Sequence, residues 1–232
     1  MENNAADVSI ILPVLNEAEH INGIIDHLRA LNHYYHTEII VVDGDPQGST
    51  IHALEDQEVR TLISDRCRAR QMNKGASVAS GDILLFLHAD TRLPGNALAL
   101  LISAMRDRRF VAGAFDLGFG TPRTIFRITE RYVFLRTRLT RIPFGDQAIF
   151  VRREYFSSIG GFRDIPIMED VELMKRIRKK GDRIIIIPNK VMTSPRRYER
   201  EGILYCTFRN WTLQLLYALG ASPERLVKWY RS

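Results

Sequence analysis

The most informative pattern in this chain is a series of apolar runs that end abruptly in polar residues. The first half contains such runs at residues 8–13, 38–42, 59–63 and 83–87. Uninterrupted apolar runs favour strands that are covered on both faces of a sheet. Segments with helical character separate them, near residues 17–31, 48–56 and 66–80. This alternation predicts an α/β fold with a mostly parallel central sheet, flanking helices and right-handed crossovers.

Polar residues follow each of these runs. The clusters are Asn16-Glu17, Asp43-Gly44-Asp45, Ser64-Asp65-Arg66 and His88-Ala89-Asp90. Parallel strands bring such clusters to one edge of the sheet, where open α/β sheets bind ligands. A carboxylate fixed at a strand end, such as Asp90, is suited to a divalent cation that would in turn hold a phosphate. Capping of a turn is the alternative role for Asp90.

The helical segment 66–80 has two faces. Ala69, Met72, Ala76 and Ala79 form a small apolar stripe that suits close packing on the sheet. The start of the segment lies beside the predicted edge, where an arginine would meet a diphosphate. The candidates are Arg66, Arg68 and Arg70. Ordinary solvation of these side chains is the alternative.

The second half predicts a different order of elements. A strand is expected at 110–119, a basic helix near 121–140, and a polar turn entering a strand at 143–151. A helix beginning near Met168 would bury Val171, Met174 and Ile177 on one side.

Acidic residues crowd the first turn of that helix. They are Glu169, Asp170 and Glu172, and basic residues fill the last turn. This order complements the helix dipole, which is a sufficient structural explanation. The functional interpretation is that one of these acids, held in a cleft, accepts a proton from a substrate hydroxyl.

Composition narrows the class of protein. The 232 residues are 45% hydrophobic, enough for one well-buried α/β domain, and the net charge is +6. That charge favours anionic partners such as nucleotides, phosphates or acidic lipid. Lys and Arg are dispersed through the first half, so no nucleic-acid partner is predicted. Two cysteines without metal spacing and an acidic amino terminus indicate a reduced, cytoplasmic setting and no signal peptide.

Residues 203–219 form the longest apolar stretch of the second half, and it is too short and interrupted to span a membrane. Leu204, Phe208, Trp211 and Leu215 form one helical stripe. We expect this stripe to pack on the protein's own core. The alternative is an in-plane membrane helix, because arginines and a lysine flank it. The predicted organisation is a domain at 1–195, divided near 110, and an amphipathic helical extension at 196–232.

Several motifs agree in order and spacing with one known family. They are Ser9–Glu17, Glu38–Gly44, Asn73 with Gly75, Leu87–Asp90 and Met168–Asp170. Together they resemble the family-2 glycosyltransferases, which have the GT-A fold. Arg209-Asn210-Trp211 and the segment 220–226 resemble a narrower group, the small bacterial transferases found beside radical-SAM and arsenosugar pathways.

The resemblance implies an inverting, metal-dependent transferase that moves a sugar from a nucleoside-diphosphate sugar to the hydroxyl of a small-molecule or lipid acceptor. Asp90 would hold Mg²⁺ or Mn²⁺, and Asp170, with Glu169 beside it, would be the catalytic base. The acceptor would meet Gly145, Asp146 and Gln147. The residues that would bind the donor are Pro13, Asn16, Glu17, Asp43, Asn73 and His88. Arg70, in the predicted helix 66–80, would bind the donor with them. The family has an aspartate where this chain has His88.

Two other functions fit parts of the sequence. A sugar-nucleotide pyrophosphorylase would use the same kind of sheet, although it needs a glycine-rich, basic loop after the first strand. A membrane-surface adaptor with a vestigial nucleotide pocket would bind anionic lipid through its carboxyl-terminal helix. The predicted location is cytoplasmic, with peripheral attachment to the inner face of the membrane as the alternative.

Overall fold

One sheet of eight strands, in the order β3-β2-β1-β4-β7-β6-β8-β5, organises the chain in a computed structural model that describes residues 6–31 and 35–231. Residues 1–5, on which the signal-peptide prediction rests, lie outside this range. The strands are β1 (Val8–Val14), β2 (Thr37–Asp43), β3 (Arg60–Ile63), β4 (Ile83–Phe86), β5 (Thr91–Arg92), β6 (Phe110–Phe119), β7 (Phe150–Arg152) and β8 (Arg183–Thr193).

Helices cover both faces of this sheet. They are α1 (Ile21–Ala30), α2 (Ser49–His52), α3 (Arg68–Val78), α4 (Ala97–Arg106), α5 (Thr124–Thr140), α6 (Arg153–Ser158), α7 (Glu169–Lys179), α8 (Arg196–Glu201), α9 (Ile203–Ala218) and α10 (Pro223–Arg231). A 3₁₀ turn, Gly145–Gln147, precedes β7.

The first four strands are parallel, as the apolar runs predict. On β1, Ile10 lies opposite Ile39 of β2 and Leu85 of β4. Strand β7 joins antiparallel to both β4 and β6, whereas β6 and β8 are parallel. The predicted mostly parallel sheet is therefore confirmed.

The unbroken apolar runs are explained by two separate cores. Ile10 and Leu12 of β1 face the core under α1 and α4, whereas Ile11 faces the core under α3 and α7. Each fully buried side chain of this size contributes about 1.5–3 kcal/mol to folding. Both faces of the strand are therefore apolar, and its sequence does not alternate between apolar and polar residues.

Glycine at position 75 lets α3 approach the sheet. A Cβ on Gly75 would lie 2.6 Å from Cγ2 of Ile11. This close packing of α3 on β1 fixes the start of the helix beside the carboxyl edge of the sheet.

The carboxyl-terminal helices differ from the expectation in one respect. The stripe of α9 that we expected to pack on the core is exposed at Leu204, Phe208 and Leu215, so that expectation is wrong. The helix packs through its opposite side, where Cys206 and Leu213 are buried. Leu213 belongs to the core under α7, and the partly buried Leu216 and Tyr217 pack against the same core. Within the described residues, no helix combines the length and apolarity that crossing a membrane requires.

Candidate functional site

Two cavities meet at the carboxyl end of β4. The strand-edge cavity, of about 420 Å³, lies between the ends of β1 and β4, the start of α3 and helix α10. The inter-helix cavity, of about 200 Å³, lies between β6, α5, α9 and the start of α7. The side chains that line both cavities are Arg68, His88, Asp90 and Tyr230.

Asp170 is held in the inter-helix cavity at the start of α7. Its Oδ2 accepts a hydrogen bond of 2.6 Å from the Gly145 N–H, and its Oδ1 accepts one of 2.7 Å from the Val171 N–H. The helix begins directly after Met168, which has a φ of +66°. Such left-handed backbone is costly for a residue with a side chain and is found most often at functional sites. The carboxylate is thereby aimed into the cavity with lone pairs still available to accept a proton.

Glu169 lines neither cavity, and it forms an ion pair with Arg68, whose side chain is 41% exposed. Its Oε1 lies 3.2 Å from Nε of Arg68, and the glutamate side chain is only 3% exposed. Burial raises the pKa of Glu169, while its carboxylate raises the pKa of Arg68. The pair fixes a cation where the two cavities join, so Glu169 serves to position Arg68.

Asp146 contributes a second carboxyl group to the inter-helix cavity. Burial raises its pKa to about 6, against the opposing effect of the Arg136 guanidinium. Among the described residues, its Oδ1 has no hydrogen-bond partner. A buried, unsatisfied acceptor in a cavity is suited to a hydroxyl group of a bound molecule.

Gln147 is fully buried and braces the turn that carries Asp146. Its Oε1 accepts hydrogen bonds from Arg136, Thr137 and the Phe144 N–H, and its amide donates to the Phe115 carbonyl at 3.0 Å. Its polar atoms are directed at the protein, so the structure gives Gln147 a supporting position behind the cavity.

His88 packs against this same turn. A Cβ on Gly145 would lie 2.8 Å from Nε2 of His88, a distance that side-chain carbons do not tolerate. Burial lowers the pKa of His88, and the nearby Arg68 lowers it further. A glycine at this position lets the His88 ring and Asp170 approach each other.

The remaining predicted residues lie in three different places. Pro13 and Glu17 line the strand-edge cavity, and the exposed Asn16, with a φ of +57°, turns the chain between them. Asp43 is buried beside the cavity, where its carboxylate accepts hydrogen bonds from the Asp45 and Thr50 N–H groups. It is absent from the lining of both cavities. Of the three aspartates to which the family resemblance gives a role, Asp90 and Asp170 therefore share the inter-helix cavity, and Asp43 does not.

Arg70 and Asn73 lie on another side of α3, in a separate surface depression. Arg70 is paired with Asp65 and Asp164, and the Asn73 amide exchanges two hydrogen bonds with the backbone of Phe162. Of the three arginines considered for this edge, Arg66 lines the strand-edge cavity and Arg68 lines both cavities.

Several lining residues were not foreseen. They are Arg136, Arg197, Tyr198, Asn210, Trp211 and Tyr230. Asn210 and Trp211 could have been found from the sequence, because they lie in the interrupted apolar stretch 203–219 and fall outside the buried side of α9. Tyr230 accepts a hydrogen bond from Arg197, a contact between α8 and α10 that no local pattern predicts.

Asp90 is the candidate ligand for a divalent cation at this site. Among residues 6–31 and 35–231, no three His, Cys, Asp or Glu side chains group closely enough to hold an ion alone. Mg²⁺ commonly binds one or two carboxylates and completes its shell with water and substrate phosphates. The partly exposed Asp90 carboxylate, open to both cavities, fits that mode of binding.

Comparison with known proteins places the chain in a family. A family model described as "Glycosyl transferase family 2" matches residues 9–162. The O-antigen biosynthesis protein RfbC of Myxococcus xanthus is 28% identical over 77% of this chain and 16% of its own length. The dolichol-phosphate mannosyltransferase of Pyrococcus furiosus is 23% identical over 72% of this chain and 48% of its own length.

A solved structure supports the fold. The mannosyltransferase PcManGT of Pyrobaculum calidifontis, in complex with GDP-Man and Mn²⁺, superposes with a TM-score of 0.64. Its identity is 22%, over 81% of this chain and 56% of that one, so the likeness concerns the fold. The predicted GT-A fold is confirmed. Because the family model covers well over half of the sequence, from β1 to the turn after α6, the chain belongs to glycosyl transferase family 2.

Proposed function

We propose that the chain transfers a sugar from a nucleoside-diphosphate sugar to an acceptor hydroxyl, with inversion at the anomeric carbon and with Mg²⁺ or Mn²⁺ bound at Asp90. The observation that carries this proposal is the position of Asp90 between two cavities, one lined by the end of β1 and the other by Asp170. A donor in one cavity and an acceptor in the other would meet there.

The strand-edge cavity is proposed for the donor. Pro13 and Glu17 would contact the nucleoside, and the buried Asp43 would hold the loop that shapes its pocket. Arg68 is the better candidate for the diphosphate, since Arg70 is engaged by two carboxylates elsewhere. A guanidinium is a strong, bidentate partner for phosphate oxygens. A cation at Asp90 would offset the charge that develops on the departing diphosphate.

The inter-helix cavity is proposed for the acceptor. Asp170 accepts the proton of the acceptor hydroxyl while the oxygen of that hydroxyl bonds to the anomeric carbon of the sugar. The bond from that carbon to the phosphate oxygen breaks, and its electron pair leaves with the diphosphate. Attack from the side opposite the leaving group inverts the configuration. Asp146, with its unpartnered oxygen, would hold a second polar group of the acceptor.

Two finer assignments belong to this proposal. The acceptor is a small polar molecule, as the narrower likeness to transferases of radical-SAM and arsenosugar pathways suggests, or a lipid if the carboxyl-terminal helices contact a membrane; neighbouring genes for such pathways would support the first. The predicted cytoplasmic location, with attachment at the inner face of a membrane as the alternative, would suit a donor made in the cytoplasm. No specific observation favours the pyrophosphorylase or the adaptor.

The experiment is calorimetry of the whole chain with UDP- and GDP-sugars, with and without Mn²⁺. We expect Mn²⁺-dependent binding of at least one donor and its loss in Asp90→Ala. The control is Asp82→Ala, which removes an exposed carboxylate at the opposite end of β4 and should leave donor binding unchanged. No binding by any nucleotide sugar would refute the transferase proposal and favour the adaptor.

A further inference from the structure

Helices α5 and α9 turn apolar side chains toward solvent. On α5 these are Ile128, Tyr132, Leu135 and Leu139, and on α9 they are Leu204, Phe208, Leu215 and Leu219. Leu135 is 54% exposed, Leu215 is 60% exposed and Leu139 is 83% exposed. The α5 residues are three or four positions apart. On α9 the partly exposed Trp211 lies between Phe208 and Leu215, and Leu219 directly follows the last helical residue. Each helix therefore has one continuous outward stripe. A water-facing helix normally carries polar residues on this side.

The two stripes form one surface, the α5–α9 face. The ring of Tyr132 lies 5.0 Å from that of Trp211, centroid to centroid, and Phe208 lies 6.2 Å from the same tryptophan. Aromatic packing therefore joins the stripe of α5 to that of α9. Contiguous apolar surface of this kind marks a place where a partner binds.

The charges beside this face are almost all positive. Arg127, Arg131 and Arg138 each directly precede a residue of the α5 stripe and so form a parallel basic row. Arg131 is exposed, whereas Arg127 is paired with Glu130 and Arg138 with the buried Asp116. Helices α5 and α9 together contain one acidic residue, Glu130, which is buried and paired with Arg127 and Lys190. The face therefore presents cations and apolar groups to its surroundings, with no exposed carboxylate of its own helices to oppose an anionic partner.

We propose that the α5–α9 face rests in the headgroup region of an anionic lipid bilayer. An apolar stripe, a basic border, and Tyr and Trp at the boundary are the features of helices that lie in the plane of a membrane. Charge complementarity selects lipid with anionic headgroups, since each Lys or Arg near such a surface strengthens binding about fivefold.

The position of the face suggests what the contact is for. Tyr132 and Trp211 belong to the face and also line the inter-helix cavity. An acceptor with a polar head and an apolar tail would reach Asp170 and Asp146 directly from the bilayer. This second step rests on the proposed function, whereas the membrane contact itself does not.

The test is flotation of the whole chain with vesicles of neutral phosphatidylcholine alone or mixed with phosphatidylglycerol. We expect binding to the anionic vesicles only, weakened by salt. Leu135→Glu and Leu215→Glu should each reduce it about tenfold or more, since each puts a charge into the buried apolar contact. The control is Ile63→Glu at the opposite edge of the sheet, a residue that is 44% exposed and should change nothing.

Measurements on the same variants separate this inference from the proposed function. Asp90→Ala should float like the unaltered chain, and Leu215→Glu should bind the nucleotide sugar like the unaltered chain. Failure to float, or flotation that both glutamate variants leave intact, would overturn the membrane contact. A dimer that both variants dissociate, without vesicle binding, would instead assign the face to a second copy of the chain.

Discussion

At the scale of single residues, the site depends on carboxylates in unlike surroundings. Backbone N–H groups hold Asp170, an arginine holds Glu169, and one oxygen of Asp146 has no hydrogen-bond partner in the part of the chain that the structure describes. Because burial raises the pKa of Asp146 to about 6, this carboxyl group changes its protonation state near pH 6 and is mostly ionised at pH 7. A group with such a pKa can donate or accept a hydrogen bond as the bound molecule requires.

The raised pKa of Asp146 predicts a dependence of stability on pH. As pH rises from about 4 to about 6, the unfolded chain releases this proton before the folded chain does, so the free energy of unfolding falls. In the unaltered chain, we expect the free energy of unfolding to fall by roughly 1–3 kcal/mol in this pH window because of Asp146. Asp146→Asn should lack this fall, and above the window Asp146 should cause no further change. Urea unfolding at several pH values measures the difference. Parallel pH profiles for the two proteins would contradict the assignment.

The sequence predicted that an arginine of α3 would enter the site, but it could not predict which arginine. Arg68 and Arg70 are indistinguishable by type, yet two residues along a helix turn a side chain to nearly the opposite side. Arg68 therefore enters the site, while Arg70 pairs with Asp164. The same rotation sends Asn73 to Phe162, so the motif residue secures the loop after α6.

At the scale of elements, the turn Gly145–Gln147 connects the two halves of the site. It gives Asp170 a hydrogen bond and contacts His88, which lies just after strand β4. The local sequence pattern could place this turn before a strand, but its contact partners come from distant segments of the chain. Contact between β4, α7 and the turn is a property of the folded sheet alone.

Replacing the glycine of this turn tests the arrangement. Gly145→Ala would force a Cβ to within 2.8 Å of the His88 ring, so the turn or the ring must move. We expect turnover to fall about tenfold or more, because small displacements of reacting groups have large effects on rate. Gly95→Ala is the control, since a Cβ there has no neighbour within 4 Å. Equal activity of both variants would contradict the role of the turn.

Strand β8 illustrates what local patterns could not predict. Its apolar run Ile184–Ile187 is followed by Pro188, which cannot donate to a strand ladder. The pairing with β6 shifts register between Ile187 and Lys190, and this irregularity accommodates the proline and the next residue. The apolar runs of the buried parallel strands predict those strands clearly, whereas β8 continues past its proline only because it pairs with β6.

At the scale of the whole molecule, the strand-edge cavity is bordered by elements from both ends of the chain. The end of β1 forms one wall, and Tyr230 of α10 forms another. A bound donor would therefore link β1, α3 and α10. Such a ligand stabilises the folded chain in proportion to the logarithm of its concentration.

Donor and Mn²⁺ together should raise the melting temperature. At about one hundred times the dissociation constant, we expect an increase of roughly 5–10 °C. EDTA should reverse most of it, because the diphosphate would lose the cation that joins it to Asp90. An increase that survives EDTA would contradict the predicted dependence on metal.

The central claim is that Asp170 removes the acceptor proton at a site shared with Asp90. The direct measurement is the turnover of Asp170→Asn beside its donor affinity and its stability. The account predicts a fall in turnover of roughly 10²–10⁴ with donor affinity nearly unchanged. If Asp170 only complements the dipole of α7, the variant would instead lose roughly 0.3–1 kcal/mol of stability and keep its turnover, which would contradict the account.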